Sequence, residues 1–545
     1  MRAMGAGTSE IRMNRRQAPL RLTGIVLVSM LIASTHQAYP AHQTDPAHQT
    51  DPTHPTYPAY QADSEAALRT VAALPGEPHV VAAAGIRRDE SAIPTIENPS
   101  AFDPADSKRR VVIIGAPGGD PATAVDLVRW FKTRAPASVR SRWSLSALPL
   151  AQFDEADKLS LARWTTFQAP DLIVTVGSMP LPIDAPVESI AAEGAAAALE
   201  KMLVQPREVS TLRRTIAERV QRQPLAIARQ LARRYPETPG ISYIPALSWI
   251  GALRVAALDK DETLRANVLE QIRPWTAGER KLFAPPPQAP AGQAPRIQLT
   301  SVAGTMVFAE LSPALFDEGV AAAAKEKAPA SPEYGQGWTD DMFMATSVLS
   351  RSGARPGHEA DLDRAARLLI AYAARLQRAD GLFNHATDGP AAWGRGNGFA
   401  AFGLVETLAR LPAAHPQRAR LLDIYRRQMT AVRAQQSPDG SWRQIIDEPG
   451  AYREETATAM LLSAMARGIR LGWLDPSFRP VVQRAWRALA AHVASDATLV
   501  DVCAGTGAGP TKRYYFDRPA VTGADDRGGA MALTAALDLL DLGGR

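Results

Sequence analysis

An internal repeat restricts the fold of this chain more than any other feature of its sequence. The segment "LQRADGLFNHATDG", continued by "WGRGNGFAAFGLVETL", aligns with "AQQSPDGSWRQIIDEPGAYREETATAMLLSA", and both align loosely with "VASDATLVDVCAGTG" followed by "GADDRGGAMALTAAL". Asp380, Asp439 and Asp496 mark the same turn in the three units, at spacings of 59 and 57 residues. Each unit reads as a helix, a polar turn, a longer loop and a helix of small residues, so the repeat predicts stacked αα-hairpins.

Apolar residues recur at helical spacing through the chain after about residue 206. One run places Leu362, Ala366, Leu369, Ala373 and Leu376 on a single stripe, and about twelve helices can be counted with no convincing strand. Repeating αα-hairpins of this length close most naturally into a toroid whose small-residue helices line the inside and whose long loops gather at one end. We therefore predict a mainly α protein in which residues 206–545 form an (α/α)6 toroid. The loops at 380–397, 440–454 and 500–526 should then face one cavity.

A smaller unit over residues 105–205 mixes strand and helix patterns. The run "RRVVIIGAPGGDP" (109–121) reads as a buried strand ending in a Gly-rich turn, and "APDLIVTVG" (169–177) reads as a second buried strand. The turn is not G-x-G-x-x-G and lacks the Lys of a phosphate loop. The unit resembles the start of a zinc carboxypeptidase-like domain, but "GGDP" replaces the His and Glu of that family's turn. We therefore predict a small α/β accessory domain without a metal site.

The N-terminus reads as an export signal followed by a linker. Arg15, Arg16 and Arg21 precede the apolar run "LTGIVLVSMLIAS" (22–34), and Ala38 offers a small residue for cleavage. Because this run is short for a membrane span, residues 1–38 are predicted to be a signal peptide, with an uncleaved anchor as the alternative. Residues 39–104 are predicted to be a disordered linker, since 41–62 repeat a Pro- and His-containing unit without large aliphatic residues. We expect a periplasmic or extracellular protein.

Composition excludes several classes of function. The 545-residue chain has a formal net charge of +5, and no Lys/Arg run is interleaved with aromatic residues, so nucleic-acid binding is not indicated. The single cysteine, Cys503, excludes an intramolecular disulfide framework and a Cys-based structural zinc site. No set of His, Asp and Glu residues has metal-ligand spacing, and no cofactor or stable protein partner is implied.

Two loops carry residue types that catalysis would need. In "YGQGWTDDMFMATSVL" (334–349), Trp338, Asp340 and Asp341 stand just before an apolar helical run. They are either ordinary acidic residues at a helix start, or carboxyl groups at the cavity mouth beside an indole, as a general acid would need. His385 lies in a long loop near Asp388, and a structural and a functional role are equally open for it.

Further candidates stand at the starts of two inner helices. In "WGRGNGF", Trp393 suits the face of a sugar, and the guanidinium of Arg395 suits a carboxylate bidentately. Asn397 is as readily a helix N-cap as a ligand. Glu454 and Glu455, in "YREET", are more commonly explained as first-turn carboxylates.

Eight short motifs follow one another along the C-terminal part of the chain: "WTDDMFM", "DGLFNHATD", "WGRGNGF", "QSPDGSWRQIID", "YREETATAM", "GIRLGWLD", "VDVCAGTG" and "DDRGG". Together they resemble the unsaturated glucuronyl and rhamnogalacturonyl hydrolases of glycoside hydrolase families 88 and 105. The resemblance is specific over about residues 330–540 and extends more thinly back to about residue 206. It implies an (α/α)6 enzyme that releases a terminal 4,5-unsaturated uronic acid from oligosaccharides left by polysaccharide lyases. In that reaction an acid protonates the double bond, water adds across it, and the hemiketal collapses.

The resemblance also implies roles for particular residues. The family's Trp-x-Asp pattern falls on Trp338 and Asp340, which makes Asp340 the candidate proton donor and water activator. The residues expected to bind substrate are Trp338, Asp341, His385, Trp393, Arg395, Asn397 and Glu454. We infer that Arg395 faces the substrate carboxylate.

One departure from the family keeps other functions open. Members carry an Asp on an earlier inner helix, but the best local candidate, "QLTSVAGTMVFAEL" (298–311), has Thr300 and Ser301 where that Asp is expected. One alternative is therefore a non-catalytic carbohydrate-binding toroid. Another is a peptidase or esterase activity in the α/β unit. The uronic acid, the linkage and the oligomeric state are not determined by the sequence.

Overall fold

The computed structural model describes residues 57–115, 121–149, 155–177, 181, 183, 185–283, 298–325 and 335–543. The predicted export signal, the first part of the predicted linker and the Gly-rich turn at 116–120 lie outside these residues. The described chain forms a unit with a six-stranded sheet, followed by a ring of helices. None of its helices is both long and apolar enough to span a bilayer.

The secondary structure is as follows. The helices are α1 (Tyr57–Ala72), α2 (Pro121–Thr133), α3 (Ala137–Arg140), α4 (Glu155–Gln168), α5 (Ala195–Val204), α6 (Thr211–Gln221), α7 (Pro224–Arg234), α8 (Tyr243–Asp259), α9 (Glu262–Thr276), α10 (Leu299–Gly304), α11 (Phe308–Leu311), α12 (Pro313–Lys325), α13 (Thr339–Gly353), α14 (Glu359–Leu376), α15 (Gly394–Leu408), α16 (Arg418–Ala434), α17 (Glu455–Arg470), α18 (Arg479–His492), α19 (Lys512–Phe516) and α20 (Asp526–Gly543). The strands are β1 (Val80–Ile86), β2 (Ala92–Glu97), β3 (Arg109–Gly115), β4 (Trp143–Leu148), β5 (Leu172–Val176), β6 (Val187–Ile190), β7 (Trp442–Arg443), β8 (Arg453–Glu454), β9 (Leu499–Cys503) and β10 (Ala520–Gly523).

The N-terminal unit is built on a mixed sheet of order β1-β2-β4-β3-β5-β6. Its strands β4, β3, β5 and β6 are parallel, and the two predicted strands, β3 and β5, pair side by side with Val111 opposite Leu172. Their continuous apolar runs suit strands that are covered on both faces. Helices α2 and α5 pack on one face, and the side chains of Leu161 and Trp164 on α4 pack on the other.

The predicted linker over residues 39–104 is wrong for residues 80–97. These residues form β1 and β2, an antiparallel hairpin whose second strand pairs with β4 through Ile96 and Ala147. The hairpin was missed because β1, "VVAAAGI", is dominated by small residues and shows no clear alternation of polar and apolar side chains. The α/β unit therefore begins well before residue 105.

The helical part closes into a ring. The inner helices α8, α10, α13, α15, α17 and α20 pack on one another in succession, and α20 returns to pack on α8. The outer helices are α7, α9, α12, α14, α16 and α18, and each packs on an inner helix. This arrangement confirms the predicted (α/α)6 toroid.

Side-chain size separates inner from outer helices. Every residue of α15 is buried, and a Cβ on its Gly403 would lie only 2.3 Å from the carbonyl oxygen of Met342 on α13. Small residues therefore allow the inner helices to approach closely. The outer helix α14 buries the stripe predicted from its spacing: Leu362, Ala366, Leu369, Ala373 and Leu376. Its other face is polar, as expected for a helix covered on one side.

The three repeated Asp residues form the same turn, as predicted. Asp380, Asp439 and Asp496 each accept a hydrogen bond from the backbone amide two residues later, at 2.9–3.0 Å. An Asp that bonds the chain in this way stabilises a tight reversal. Each turn ends an outer helix and begins one of the long loops at the same end of the ring.

The long loops from the three repeats contact one another at that end. The amide of Gly394 donates to the carbonyl oxygen of Gln444 (2.7 Å), and the side chain of Gln444 donates to the carbonyl oxygen of Tyr515 (2.6 Å). The loops also contain the short pairs β7–β8 and β9–β10, so the expectation that the helical part has no strand is wrong. These strands are too short to be seen in the sequence pattern.

Candidate active site

Asp340, the predicted proton donor, is the second residue of α13 and is hydrogen-bonded to His385. Oδ2 of Asp340 lies 3.1 Å from Nε2 of His385, and Nδ1 of His385 lies 2.9 Å from the hydroxyl oxygen of Tyr515 on α19. All of these bonds are satisfied by the tautomer with the proton on Nε2: Nε2 donates to the Asp340 carboxylate, the Tyr515 hydroxyl donates to Nδ1, and the amide of Gly509 donates to the hydroxyl oxygen (3.3 Å). Burial raises the pKa of Tyr515 to about 12, which keeps its proton in place.

Only the Asp340 end of this hydrogen-bonded line is open to solvent. The Asp340 side chain is 20% exposed, whereas that of His385 is completely buried. The imidazole is enclosed by the rings of Trp338, Trp393 and Tyr515, whose centroids lie 5.5, 4.5 and 5.7 Å away. A buried imidazole with both nitrogens bonded is held in one tautomer and one orientation. The geometry therefore exposes the carboxyl group of Asp340 to solvent at the loop end of the ring and supports it from behind with an imidazole.

The glycines of "WGRGNG" allow this close packing. A Cβ on Gly396 would lie 2.6 Å from Oγ1 of Thr339 and 2.9 Å from the ring of Trp393. The start of α15 thus lies directly against the start of α13. The amide of Thr339 also donates to the carbonyl oxygen of His385 (2.9 Å), which fixes the loop to α13. The glycines of this segment therefore serve close packing between α13 and α15.

Asp341 shapes the turn before α13. Its carboxyl group accepts hydrogen bonds from the amides of Gln336 (2.8 Å) and Trp338 (3.1 Å) and from the hydroxyl of Tyr372 (2.9 Å). Burial raises its pKa to about 7. Because Asp341 is only 3% exposed and its Oδ2 accepts all three of these bonds, direct contact with a substrate is not supported for it. Its geometry corrects that expectation and makes it a residue that holds Trp338 in place.

Trp393 and Arg395 lie beneath the site. Trp393 is 1% exposed, and the guanidinium carbon of Arg395, itself 2% exposed, lies 4.7 Å from its ring centroid. Arg395 donates from Nη1 to the carbonyl oxygen of Cys503 (2.5 Å) and from Nη2 to that of Ala504 (2.7 Å). The expected contacts with a sugar face and a substrate carboxylate are therefore not offered by this geometry. The two residues instead join the α15 loop to the β9 loop.

The side chains of Asn397 and Glu454 are also hydrogen-bonded to backbone groups. Oδ1 of Asn397 accepts from the amide of Phe383, and its Nδ2 donates to the carbonyl oxygens of Phe383 and Trp393. Glu454 caps α17 by accepting from the amides of Thr456 and Ala457, and it also accepts from the amide of Cys503 at 2.8 Å. Both side chains are buried, so the expected substrate contacts are corrected to structural ones. Glu454 is the N-cap of α17, whereas Asn397 is not an N-cap but joins the fourth residue of α15 to the backbone of Phe383.

The second acid implied by the family is absent from α10. This helix carries Thr300 and Ser301, both half-buried, and no carboxyl group. A different acid, Glu455, lies buried at the start of α17, and neither of its oxygens has a hydrogen-bond partner among the described residues. Burial and the neighbouring charges of Glu454 and Asp525 raise the pKa of Glu455 well above its usual range, which favours its neutral form.

Three residues near the site were not identified from the sequence. Tyr515 lies on a five-residue helix inside the third loop, where the tyrosines of "KRYYF" were the only signal. Tyr243 begins the inner helix α8, and the charges of Arg395, Arg527 and Asp340 all act on its hydroxyl. Arg527 donates to the carbonyl oxygen of Cys503 (3.2 Å) and keeps 23% of its side chain exposed. It is therefore a more accessible cation than Arg395.

Within the described ranges, no group of three or more His, Cys, Asp or Glu side chains has a geometry that could hold a metal ion. The chemistry that the described side chains offer is proton transfer by a positioned carboxyl group, with aromatic and cationic groups around it.

The comparisons with known proteins agree with this architecture. Residues 305–542 match the family model described as Glycosyl Hydrolase Family 88. The unsaturated rhamnogalacturonyl hydrolase YesR of Bacillus subtilis is 28% identical over 213 residues, which is 38% of this chain and 60% of that protein. An unsaturated 3S-rhamnoglycuronyl hydrolase of Alteromonas sp. is 30% identical over 110 residues, or 20% of this chain and 27% of that protein. The chain thus spans less than two thirds of the length of these relatives.

A crystal structure from Salmonella enterica, described as a possible member of glycoside hydrolase family 105, aligns with a TM-score of 0.50 at 18% identity. The alignment covers 62% of this chain and 97% of that one, and it supports the toroidal fold. The predicted resemblance to families 88 and 105 is therefore confirmed. The resemblance of the α/β unit to zinc carboxypeptidases stays a prediction.

Proposed function

We propose, on the premise that residues 305–542 form a glycosyl hydrolase family 88 domain, that this protein releases a terminal 4,5-unsaturated uronic acid from oligosaccharides produced by polysaccharide lyases. The observation that carries the proposal is the line Asp340–His385–Tyr515, which presents one supported carboxyl group at the cavity end of the toroid. The names of the two relatives support the substrate class, since one is called an unsaturated rhamnogalacturonyl hydrolase and the other an unsaturated 3S-rhamnoglycuronyl hydrolase.

In the proposed reaction Asp340 acts first as an acid and then as a base. The protonated carboxyl group gives its proton to carbon 4 of the unsaturated ring, and the positive charge that develops at carbon 5 is shared with the ring oxygen. A water molecule adds to carbon 5 while its proton passes to the Asp340 carboxylate. The hemiketal then opens and the glycosidic bond breaks. The N–H of His385 stabilises the intermediate carboxylate, and fixed hydrogen-bond donors of this kind need no reorganisation during the reaction.

The surrounding residues divide into those that meet the substrate and those that hold the site. Trp338 is half-buried, and we assign its exposed indole face to the sugar ring. Arg527 is the cation that we assign to the substrate carboxylate, because a guanidinium suits planar, two-point binding. Asp341, Trp393, Arg395, Asn397 and Glu454 form the frame that fixes these groups.

A second candidate function is carbohydrate binding without catalysis. The observation that favours it is the absence of a carboxyl group on α10, where Thr300 and Ser301 stand instead. A toroid of this kind would retain unsaturated oligosaccharides and leave their double bond intact. Turnover and binding measured on the same sample separate the two functions.

The test uses the full chain and lyase digests of pectin, ulvan and glycosaminoglycans. Hydration removes the conjugated double bond, so activity is seen as loss of its ultraviolet absorbance. We expect the wild-type protein to bleach at least one digest and Asp340→Asn to lose this activity while still binding the oligosaccharide. Asp423→Asn, an exposed acid on the outer helix α16, is the matched control and should keep full activity. Undiminished turnover by Asp340→Asn would remove Asp340 from the mechanism, and binding without bleaching by the wild type would favour the second function.

The uronic acid and its linkage belong to the same proposal and are determined by which digest is bleached. Export is also proposed, on the basis of the N-terminal charged and apolar segments. Fractionation of cells that express the full chain, with activity measured in each fraction, tests this. Retention in the cytoplasm would contradict it.

A further inference from the structure

Three of the contacts between the α/β unit and the toroid end next to a residue of the proposed active site or of its frame. The first involves Glu97, the last residue of β2, which is completely buried. Its carboxylate accepts from Nη2 of Arg453 at 2.8 and 2.9 Å and from the indole nitrogen of Trp164 at 2.8 Å. Nη1 of Arg453 also donates to Oδ2 of Asp439, the Asp of the second repeated turn, at 3.0 Å. Arg453 immediately precedes Glu454, which caps α17 and holds the amide of Cys503.

The second contact acts on β9. Nε of Arg163, on α4, donates to Oδ1 of Asp501 at 2.6 Å, and the Asp501 side chain is 1% exposed. The backbone of Asp501 is left-handed, with φ of 59°, a conformation that costs energy for residues other than Gly and persists where contacts fix it. Two residues later, the carbonyl oxygen of Cys503 accepts hydrogen bonds from the guanidinium groups of Arg395 and Arg527. Arg163 therefore fixes the strand from which this carbonyl group projects.

The third contact acts on α19. Arg513 donates from Nη1 to the carbonyl oxygens of Arg87 and Arg88, at 3.1 and 3.3 Å, in the turn that joins β1 to β2. Two residues after Arg513 stands Tyr515, the hydrogen-bond partner of His385. The hairpin that the sequence failed to predict thus lies against the short helix that supports the imidazole.

From these three contacts we propose that the α/β unit is a positioning element of the active site, acting through Glu97 on β8 and through Arg163 on β9. The proposal rests on the proposed function for its catalytic consequence. Neither residue contacts the site, so they are positioning residues. Each pair is largely removed from water, where loss of one partner leaves an uncompensated charge and disturbs the backbone that carries the other. This gives the α/β unit a role that does not require chemistry of its own.

The test compares Glu97→Gln and Arg163→Gln with a control that breaks another contact between the two units. Asp103→Asn removes the ion pair with Arg487 (3.6 Å), which lies on the outer helix α18 and not on a strand of the site. Cys503 is the only cysteine of the chain and is buried in β9, so its rate of reaction with an aromatic disulfide reagent reports opening of that strand. We expect labelling to be roughly tenfold faster in both test variants and unchanged in the control.

Activity provides the second measurement. Displacement of catalytic groups by about 1 Å costs roughly 100-fold in rate, so kcat should fall by about that factor while KM changes little. The melting temperature should fall as well, because a buried charge has lost its partner. Arg163→Lys keeps the charge and should recover part of the rate. Labelling as slow as in the wild type, or equally fast in Asp103→Asn, would overturn the proposal. If Glu97→Gln does not fold, the Arg163 series decides. If the wild type shows no turnover, the proposed function fails, whereas the labelling comparison still tests the positioning role.

Discussion

The substitution Tyr515→Phe tests the hydrogen-bonded line behind Asp340 by removing one oxygen atom. Tyr515 is completely buried, and its hydroxyl bonds Nδ1 of His385 and the amide of Gly509. Phenylalanine fills nearly the same volume, so packing is kept and only these two bonds are lost. The Nδ1 atom of His385 then remains buried without a partner, and its ring is free to change tautomer.

The expected magnitude follows from these contacts. A buried polar group left without its partner costs about 1–3 kcal/mol, which sets the expected loss in the free energy of unfolding. Loss of the fixed tautomer weakens the N–H that stabilises the Asp340 carboxylate, and about 1.4 kcal/mol corresponds to tenfold in rate. We therefore expect kcat to fall by roughly 10- to 100-fold. KM should stay the same, because Tyr515 does not reach the solvent-exposed end of the site.

The assay is loss of ultraviolet absorbance at several substrate concentrations, together with urea unfolding. Tyr425→Phe is the matched control, since Tyr425 is equally buried and its hydroxyl donates to the carbonyl oxygen of Ala464 (2.8 Å) on the far side of an inner helix. It should lose similar stability with unchanged kcat. A rise in KM with unchanged kcat for Tyr515→Phe would refute the reasoning, because it would place the hydroxyl against the substrate.

Other predictions concern buried acids and a glycine. Glu455→Gln should make the free energy of unfolding less dependent on pH. The raised pKa of Glu455 contributes stability that is fully present below its unfolded pKa and is lost as pH rises through its folded pKa. Relative to the wild type, the variant should therefore have a higher free energy of unfolding at alkaline pH, measured by urea titration. Glu406 is the opposite case, since burial disfavours its charge but three arginines at 2.7–2.8 Å hold its pKa well below the usual range. Its stabilisation is present above the unfolded pKa and lost on acidification, so Glu406→Gln should cost about 3–5 kcal/mol at pH 7 by urea unfolding without changing KM. Gly396→Ala places a methyl group against Thr339 and Trp393, and we expect reduced kcat and a lower melting temperature.

The sequence was most informative where a pattern repeats. The toroid was predictable because helical spacing and the Asp380, Asp439 and Asp496 turns recur, and each repetition is an independent sign of the same unit. The β1–β2 hairpin was not, because the seven residues of β1 are dominated by Ala and Val and carry no periodicity. Its second strand, β2, joins the sheet through β4, where Ile96 lies opposite Ala147, 51 residues later. Whether such a segment forms a strand of the sheet depends on its pairing with distant segments, which local composition does not reveal.

The candidate site likewise has features that the sequence predicts and features that it does not. Motif order brought Asp340, His385 and the "WGRGNG" segment to one place, and the contacts among them agree. Which of these residues reach solvent was not predictable, because it depends on a rotation of less than one turn at each helix start. Arg395 and Glu454 are the residue types that bind sugars and carboxylates, yet their nearest unsatisfied partners were backbone groups of a neighbouring loop. Buried backbone groups need hydrogen-bond partners, and Arg395 and Glu454 serve as those partners instead of binding a ligand.

The absence of an acid on α10 changes how the proposed reaction must be divided among the residues that remain. Hydration adds one proton to carbon 4 and removes one from water, so a single carboxyl group returns to its starting state and a second is not required by stoichiometry. A second acid would contribute charge and orientation, and these are the contributions that fixed groups elsewhere can supply. Here the imidazole of His385 is held by Tyr515, Tyr515 is held by α19, and α19 is held by the α/β unit through Arg513. In the proposed reaction, the orientation that a second carboxylate could supply is therefore supplied by rigid support behind Asp340, and part of that support comes from the α/β unit.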